Sequence, residues 1–488
     1  MPTLSVCSLL RCATKIMAGV LVVLATAGCS SSLQAKNAQS NKGHNEWQRE
    51  DIAVFREEFL ARDRAFTPRA RNVAERRLAK LAREPVSPTV FAVELCRIAA
   101  LADNGHTQCL PRGVGRDICQ GVAALGFNRA PWCPLRTPDF EIPDFNAVPI
   151  AFVAFGQGFN VTGVEEGNAD LLGARLTAVE GRPIERTVST LRTFAGGTAA
   201  HRDEIAAHVL ASPEQLHAVG LVRNTDSVTY QFTTSAGKKV SRVLSVRSSS
   251  NGAVWRGLPN PQKNAWAFQE PDEPFRYRDA PEIDGVVVQL RRTLNAGDQK
   301  IAAFLEEAET KRQTLGRKHV VLDMRFNGGG NFLLVRDFMI RWPGRVPGRF
   351  FVLTSRQTFS AAIASIAYLK QAGKDRVTIV GEPVGDRMMF FSDGLPIRLP
   401  HSGRYFLPAV VRMDYADGCR RYDDCLEAIA QPGRPVAEGA LPTLGSLARL
   451  PVSVSTLEPD IYAPWTINAL SNGTDPTMEA VVASVGHE

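Results

Sequence analysis

The chain has 488 residues, of which 22% are charged, and its formal net charge is +7. After the N-terminal region, about 440 residues have an ordinary globular composition, which is more than one hydrophobic core holds, so two or three domains are expected. The basic residues are scattered and are not interleaved with aromatic residues, which argues against nucleic-acid binding.

The first 28 residues have the pattern of an export signal. Two basic residues precede the uncharged apolar run MAGVLVVLATAG, which is too short for a stable membrane span. Small residues then lead to Cys29 in a segment similar to a bacterial lipobox, which implies lipid attachment at Cys29. Ordinary secretory cleavage nearby is the alternative. Ser30 follows, which by the usual lipoprotein sorting pattern predicts an outer-membrane lipoprotein on the periplasmic side of a bacterial envelope. The polar residues 29–46 are predicted to be a flexible tether.

The cysteines agree with export. Cys7 and Cys12 belong to the signal, and the even number that remains after Cys29 predicts disulfides in an oxidising compartment. Cys419 and Cys425 close a short loop and are expected to pair, whereas the order of pairing among Cys96, Cys109, Cys119 and Cys133 is open. A metal site is the alternative, but the sequence has no C-x-x-C and no histidines at ligand spacing, so no metal is expected.

Residues 47–104 are predicted to be helical. DIAVFREEFLARD and ARNVAERRLAKLARE place apolar residues at three- and four-residue spacing. A third helix, SPTVFAVELCRIAALAD, starts at Ser87 and Pro88 and ends at the turn signal NGH. Residues 47–146 are therefore assigned to an N-terminal helical domain that carries His106.

The next region has the pattern of short strands. GFNVTGV and ARLTAVEG alternate, PIERTVSTLR predicts a short helix, and SVTYQFTTSAGKKVSRVLSV predicts a hairpin that turns at Ala236 and Gly237. A helical insert, AAHRDEIAAHVLASPEQLHAVGL, lies between them. Residues 251–280 are rich in proline and polar residues and are predicted to be a linker or irregular arm.

From residue 281 onward, strand and helix patterns alternate. The strands are DGVVVQL, HVVLDMR, RFFVLTS and RVTIVGE, and the helices between them are DQKIAAFLEEAETKRQTLG, NFLLVRDFMIRW and SAAIASIAYLKQAG. This alternation predicts a mainly parallel sheet with helices packed on it.

A glycine-rich loop, FNGGG at residues 326–330, follows the strand HVVLDMR. Its glycines let the backbone approach a ligand and present N–H groups at the carboxyl end of a strand, where open α/β sheets bind ligands. An oxyanion hole needs only one or two such groups. A phosphate loop is the alternative, but its G-x-x-x-x-G-K-[ST] and G-x-G-x-x-G patterns are absent.

Ser360 lies between the strand RFFVLTS and the next helix, at the same edge of the sheet. Serine is a common helix N-cap, so Ser360 is expected to cap this helix. The positive end of the helix dipole would also favour an oxyanion there, which makes Ser360 a candidate nucleophile. A nucleophilic serine needs a base. Lys370 and Lys374 lie too far along the helix, whereas His106 in DNGHT and His401 in LPHSG are candidates.

Together these pieces resemble the tail-specific, or C-terminal-processing, serine peptidases. The resemblance covers most of residues 85–485, in the order DNGHT, GARLTAVEGRPI, VVLDMRFNGGG, TFSAAIAS, VGEPVGD, LPHSG, PDIYAPWT and DPTMEA. It implies an α/β core of the crotonase/ClpP-like ββα type, with a PDZ-like, mainly-β domain inserted before it and the helical domain at the N-terminus.

The resemblance also implies catalytic roles. One branch of the family uses a Ser–Lys dyad with the lysine in a segment like GExTfGKG, but here that segment is GEPVGDRMM, with Asp386 at the lysine position. The other branch, similar to the tricorn core domain, takes a histidine from an N-terminal segment that DNGHT matches. By this resemblance Ser360 is the nucleophile and His106 is the general base. The oxyanion hole is assigned to backbone N–H groups of the glycine loop and the helix start, namely Gly329, Gly330 and Ala361.

The acid that orients His106 is open. The candidates, in order of preference, are Glu382, Asp386 and Asp103, and an apparent insertion over residues 414–456 leaves Glu438 and Glu458 possible as well.

The expected function is hydrolysis of peptide bonds in peptide or protein substrates by an exported serine peptidase without metal or cofactor. The alternatives are a catalytically inactive peptide- or ligand-binding protein on the same scaffold and an esterase or amidase acting on a small molecule. A membrane is an expected partner through the lipid anchor, nucleic acid is not, and the oligomeric state is open. The predicted organisation is a lipoprotein signal (1–28), a tether (29–46), a helical domain (47–146), a PDZ-like domain with a helical insert (147–250), a linker (251–280), a peptidase core (281–474) and a C-terminal segment (475–488).

Overall fold

The computed structural model describes residues 46–110, 145–156, 158–246, 255–258, 264–392, 394–418 and 451–486. The export signal, Cys29 and nearly all of the tether lie outside the described residues. The cysteines Cys119, Cys133, Cys419 and Cys425 also lie outside them.

The N-terminal region is helical, as predicted. Its helices are α1 (46–54), a π-helical continuation (Phe55–Leu60), α2 (Pro68–Arg83) and α3 (Pro88–Ala99). Thr67 and Ser87 cap α2 and α3, because each side-chain oxygen accepts a hydrogen bond from the amide three residues later. The apolar faces of these helices share one core with Ile397, Leu399 and Phe406 from late in the chain.

A disulfide between Cys96 and Cys109 joins α3 to strand β1 (Gln108–Leu110). The two cysteines are 13 residues apart. The sequence predicted disulfides among four cysteines without a pairing, and the structure pairs these two. The loop that this bond closes contains His106.

The second region contains a seven-stranded sheet. Its strands are β2 (Ile150–Phe155), β3 (Gly158–Glu165), β4 (Arg175–Val179), β5 (Arg182–Pro183), β6 (Ser227–Thr233), β7 (Lys239–Ser245) and β8 (Trp255–Gly257). The main order is β2-β3-β4-β6-β7, with β5 beside β4 and β8 beside β3, and the pairs are antiparallel. Helices α4 (Ile184–Leu191), α5 (Ala199–Val209) and α6 (Pro213–Ala218) occupy the positions of the predicted helix and helical insert. The hairpin turns at Gly237, whose φ of +78° suits glycine.

A six-stranded sheet follows in the chain, and four other strands in this region belong to two small sheets. The strands are β9 (Phe275–Ala280), β10 (Gly285–Leu290), β11 (His319–Asp323), β12 (Phe350–Thr354), β13 (Val377–Gly381), β14 (Met389–Ser392), β15 (Ile397–Arg398), β16 (Tyr405–Leu407), β17 (Val411–Asp414) and β18 (Ile461–Tyr462). The large sheet has the order β18-β13-β12-β11-β10-β9. All its pairs are parallel except β9 with β10, which confirms the predicted mainly parallel sheet. The small sheets have the orders β1-β16-β15 and β14-β17.

The prediction of a linker or irregular arm over residues 251–280 is wrong where this segment forms β8 and β9. Strand β9, FRYRDA, carries three charged residues, so its pattern did not indicate a strand. An edge strand tolerates charges, and here Arg276 Nε donates a 2.7 Å hydrogen bond to Gln289 Oε1 on the neighbouring β10.

Helices cover both faces of the six-stranded sheet. They are α7 (Ile301–Thr314), α8 (Arg336–Arg345), α9 (Ala361–Gly373) and α11 (Pro476–Val485), and the short helix α10 (Ile467–Asn472) precedes α11. Alternate residues of each strand pack on opposite sides: Val320 and Val352 belong to the core with α7, α8 and α9, whereas Val321 and Phe351 pack with Val481 of α11. The predicted helix NFLLVRDFMIRW begins later than expected, at Arg336, after a 3-10 turn.

The remaining helical turns are short 3-10 segments. They are Ala100–Ala102, Glu166–Leu171, Arg192–Phe194, Trp266–Phe268, Pro281–Ile283, Phe332–Leu334 and Lys374–Arg376. The described residues from 47 onward form one compact unit. Within the described ranges, no helix has both the length and the apolar character that a membrane span requires.

Candidate active site

Ser360 lies at the turn between β12 and α9, in a backbone conformation that is rare for a residue with a side chain. Its φ is 55° and its ψ is −123°. Its carbonyl accepts a 3.2 Å hydrogen bond from the amide of Ala364, so the backbone starts the helix. The side chain caps nothing, and Oγ forms no hydrogen bond with any described residue. The predicted capping role is therefore wrong, because a capping serine needs an extended backbone that Ser360 does not have.

The glycine loop lies directly against Ser360. Gly329 has a φ of +108°, and a Cβ atom there would lie 2.6 Å from Ser360 Cβ and 3.1 Å from the amide nitrogen of Ala361. Gly330 has a φ of +140°, and a Cβ atom there would collide with the carbonyl oxygen of Thr293. Thr293 holds the loop in place: its amide donates to the Gly329 carbonyl at 2.8 Å, and its carbonyl accepts from Asn331 at 2.7 Å. Only glycine fits at these two positions.

The amides of the predicted oxyanion hole differ in their availability. The amide of Gly329 donates a 2.9 Å hydrogen bond to Asn327 Oδ1, so it is already engaged. The amides of Gly330 and Ala361 donate to no residue that the structure describes. The unpartnered amides among these three are therefore those of Gly330 and Ala361, whereas that of Gly329 is engaged by Asn327.

His106 is buried in an aromatic stack close to Ser360. The residue is 9% exposed, and its ring stacks on Phe359 and Phe390, with centroid distances of 4.4 and 4.7 Å. Its Nδ1 lies 3.1 Å from Asp386 Oδ2. Its Nε2 is buried and has no hydrogen-bond partner among the described residues. The fold therefore places the His106 ring against Phe359, the residue that precedes Ser360. No hydrogen bond joins His106 to Ser360.

The DNGHT loop is fastened by residues that are distant in the sequence. The side chain of Asn104 forms two 3.0 Å hydrogen bonds with the backbone N–H and carbonyl of Phe391. Thr107 Oγ1 donates a 2.8 Å hydrogen bond to Asp63 Oδ2. Burial raises the pKa of Asp63 to about 6, against the hydrogen bonds that it accepts from Ala409, Thr107 and Ala65.

Of the acids predicted to orient the histidine, Asp386 is the one that contacts it. Glu382, the first choice, forms a 3.0 Å ion pair with Arg356 instead. Asp103 forms ion pairs with Arg202 and Arg387. The prediction that Glu382 is the first choice is therefore wrong. After β13, the side chain of Glu382 lies against Arg356, whereas that of Asp386 lies against His106. Glu438 lies outside the described residues.

The other base candidates lie elsewhere. His401 Nε2 bonds to Glu50, and its amide donates to Asp51 Oδ1, so it belongs to the contact with the first helix. Lys370 Nζ donates a 2.6 Å hydrogen bond to the carbonyl of Val377. His106 is thus the base candidate that the fold places beside the Ser360 turn.

Sequence reasoning missed His201 and the stacking role of Phe359 and Phe390. His201, on α5, also stacks on Phe359 with centroids 5.2 Å apart, and burial lowers its pKa while the charge of Asp386 opposes this shift. No signal in AAHRDE pointed to the site, although Phe359 and Phe390 stand next to residues that the motifs singled out.

Across the described ranges, no three His, Cys, Asp or Glu side chains are grouped so that they would hold a metal ion.

Comparison with known proteins identifies the fold. No protein-family model matches the sequence, and no curated protein matches it. The structure of mature CPAF complexed with lactacystin is 11% identical, with a TM-score of 0.54 over 90% of this chain and 98% of that chain. The structure of mature CPAF is 12% identical, with a TM-score of 0.49 over 86% and 90% of the two chains. The photosystem II D1 C-terminal processing protease is 12% identical, with a TM-score of 0.37 over 91% and 97%. The chain therefore has a mixed α/β fold with several sheets, similar to that of mature CPAF complexed with lactacystin.

Proposed function

We propose that the protein is a serine peptidase in which Ser360 is the nucleophile and His106 is the general base. The observation that carries this proposal is a complementary pair of unpartnered atoms. Ser360 Oγ and the buried His106 Nε2 each lack a hydrogen-bond partner among the described residues, and Phe359 joins their two sites. The proposed reaction pairs a hydroxyl donor with an imidazole acceptor.

The chemistry follows from the roles of these atoms. His106 Nε2 takes the proton of Ser360 Oγ as the oxygen attacks the peptide carbonyl, and it returns that proton to the leaving amine. Water then attacks the acyl-enzyme, and its proton passes through the same nitrogen back to Ser360.

Asp386 and two backbone amides supply the electrostatics. Asp386 Oδ2, 3.1 Å from Nδ1, accepts a hydrogen bond from the Nδ1–H group of His106, so that Nε2 is the basic nitrogen. The carboxylate also stabilises the imidazolium that forms. The amides of Gly330 and Ala361 are available to the carbonyl oxygen as it gains charge, and Ala361 is the first residue of α9, where the helix dipole is positive.

The family and location belong to the same proposal. The motif order from DNGHT to DPTMEA supports a tail-specific peptidase with a PDZ-like domain and a ClpP-like core. The placement of Asp386 beside His106 supports the histidine-using branch. Attachment through a lipid on Cys29, on the periplasmic side of the outer membrane, rests on the N-terminal sequence alone.

A fluorophosphonate probe tests the assignment, because it labels an activated serine. We expect labelling of the wild-type protein, none of Ser360→Ala, and a large loss in His106→Ala. His401→Ala is the matched control, since His401 bonds to Glu50 away from the site, and it should label like the wild type. Equal labelling of all four proteins would overturn the assignment.

A catalytically inactive peptide-binding protein is the second candidate. The observation in its favour is that Phe359 and Phe390 stack on the His106 ring while no hydrogen bond joins it to Ser360. This candidate predicts no labelling of the folded wild-type protein at any probe concentration that labels a control serine peptidase.

A further inference from the structure

A cleft with a volume of about 160 Å³ lies between the seven-stranded sheet and the turn that leads to Ser360. Its walls are mainly apolar and come from both regions: Phe155, Leu258, Phe268, Phe326, Trp465 and Leu470. Ser355, Arg356 and Gln357 line it from the β12–α9 turn. Pockets for drug-sized ligands measure about 300–1,000 Å³, so this cleft suits one side chain and not a whole ligand of that size.

Trp465, a wall residue of the cleft, carries a hydrogen-bond donor that is not used. The side chain is 7% exposed, and its Nε1 is buried without a hydrogen-bond partner among the described residues. The ring is held edge-on against Phe268, at a centroid distance of 4.8 Å, and the Arg325 guanidinium lies 5.4 Å from its centroid. Buried indole N–H groups are usually paired, so this one calls for an acceptor that occupies the cleft.

The charges of the cleft are not balanced. Two carboxylates, Glu204 and Glu382, and one guanidinium, Arg356, line it. Arg356 and Glu382 neutralise each other in an ion pair of 3.0 Å. Glu204 accepts a 2.9 Å hydrogen bond from Gln357 Nε2 and forms no ion pair with a described residue. One negative charge therefore remains beside apolar walls, and it favours a cation next to an apolar group.

We propose that this cleft binds an extended peptide through an apolar side chain that is followed by a basic residue. The apolar side chain enters between the aromatic walls, a backbone carbonyl accepts the Trp465 N–H, and the cation faces Glu204. This inference rests on the proposed function in one respect, that the peptide is part of the substrate. Arg356 precedes Ser360 by four residues, so the two lie within about 14 Å, a distance that four or five extended peptide residues span.

Binding is tested in the Ser360→Ala protein, so that no peptide is cut. Three blocked dipeptides serve as probes: acetyl-Leu-Lys-amide, acetyl-Leu-Glu-amide and acetyl-Gly-Lys-amide. The readout is the indole N–H signal of Trp465 in a ¹H–¹⁵N spectrum, identified as the signal that Trp465→Phe removes. We expect a saturable shift with the Leu-Lys probe, binding at least about tenfold weaker with Gly-Lys, which lacks the apolar side chain, and about two- to fivefold weaker with Leu-Glu.

Two variants separate the contacts. Trp465→Phe keeps an aromatic wall without the N–H and should weaken Leu-Lys binding about two- to tenfold by calorimetry. Glu204→Gln, at a half-buried position, should abolish the preference for Leu-Lys over Leu-Glu. The inference is overturned if none of the probes shifts the Trp465 signal, or if Trp465→Phe and Glu204→Gln both bind all three probes as the parent does.

The outcome is distinguishable from that of the proposed function. If the wild-type protein is labelled by the fluorophosphonate but the cleft binds no probe, the peptide site is refuted and the serine peptidase stands. If the cleft binds Leu-Lys but Ser360 is never labelled, the peptide site stands and the peptidase is refuted.

Discussion

The nucleophile side and the base side of the candidate site are built in different ways. Ser360 and the glycine loop occupy successive strand ends of one parallel sheet, where Gly329 fits against Ser360. His106 instead lies in a loop held by contacts with residues far away in the chain, including Asp386, 280 residues on, and Asp63 through Thr107. The local sequence therefore determines the first side, whereas the second forms only when distant segments meet.

The largest effect is expected from the contact between Asp386 and His106 on the base side of the site. Asp386→Asn replaces the carboxylate that accepts the hydrogen bond from His106 Nδ1–H by an amide. This change permits the tautomer in which Nε2 carries the proton and is not basic. We expect the rate of fluorophosphonate labelling to fall by about 10²- to 10⁴-fold. Glu382→Gln is the matched control, because Glu382 pairs with Arg356 and not with His106. A smaller loss in Asp386→Asn than in Glu382→Gln would contradict the assignment of the acid.

The nucleophile side is disturbed most selectively at Gly329. Gly329→Ala places a Cβ atom 2.6 Å from Ser360 Cβ at a φ of +108°. Overpacking and backbone strain should slow labelling about 10- to 100-fold. Gly328→Ala is the control in the same loop, since nothing lies within 4 Å of its added Cβ. If both variants label at the same rate, the close fit between loop and serine has no role.

The disulfide tests the base side through stability. Cys96→Ser with Cys109→Ser opens the covalent loop that contains His106, and the free energy of unfolding should fall by about 3 kcal/mol. Urea denaturation of the variant and the wild type under oxidising conditions measures this difference. An unchanged midpoint and slope would mean that the packing of α3 against β1 holds the loop without the bond.

The last predicted effect, at Asp63, depends on pH. Burial raises its pKa from 3.8 to about 6, so between these values the native state binds more protons than the unfolded state. The contribution of Asp63 to the free energy of unfolding is therefore fully present below pH 3.8 and is lost as the pH rises through 6. The loss is at most about 3 kcal/mol. Asp63→Asn should flatten the dependence of unfolding free energy on pH across this window. Asp337→Asn, an exposed carboxylate, should leave it unchanged.

Much of the fold was predictable because its signals are local. The alternation from DGVVVQL to RVTIVGE predicted the parallel sheet, since short continuous apolar runs indicate buried strands and the longer segments between them indicate helices. Strand β9 was missed because its charged side chains find partners, such as Gln289 for Arg276, only in the folded sheet.

The candidate site shows the same division between local sequence signals and contacts that form only in the folded chain. DNGHT, FNGGG and TFS indicated the residues of both sides, but the sequence could not choose between Glu382 and Asp386. That choice depends on which carboxylate meets a ring 280 residues away. The prediction that Ser360 caps the helix is wrong for a different reason. The residue type at a position does not indicate that its φ is positive.

A crystal structure of the fluorophosphonate adduct tests the central claim most directly, because it shows both sides of the site in the reacted state. We predict the phosphonate on Ser360 Oγ, its oxygen on the amides of Gly330 and Ala361, and His106 Nε2 within about 3.2 Å of an oxygen of the adduct. An adduct on Ser360 in which His106 stays stacked between Phe359 and Phe390 with Nε2 still unpartnered would contradict the claim that this histidine is the base.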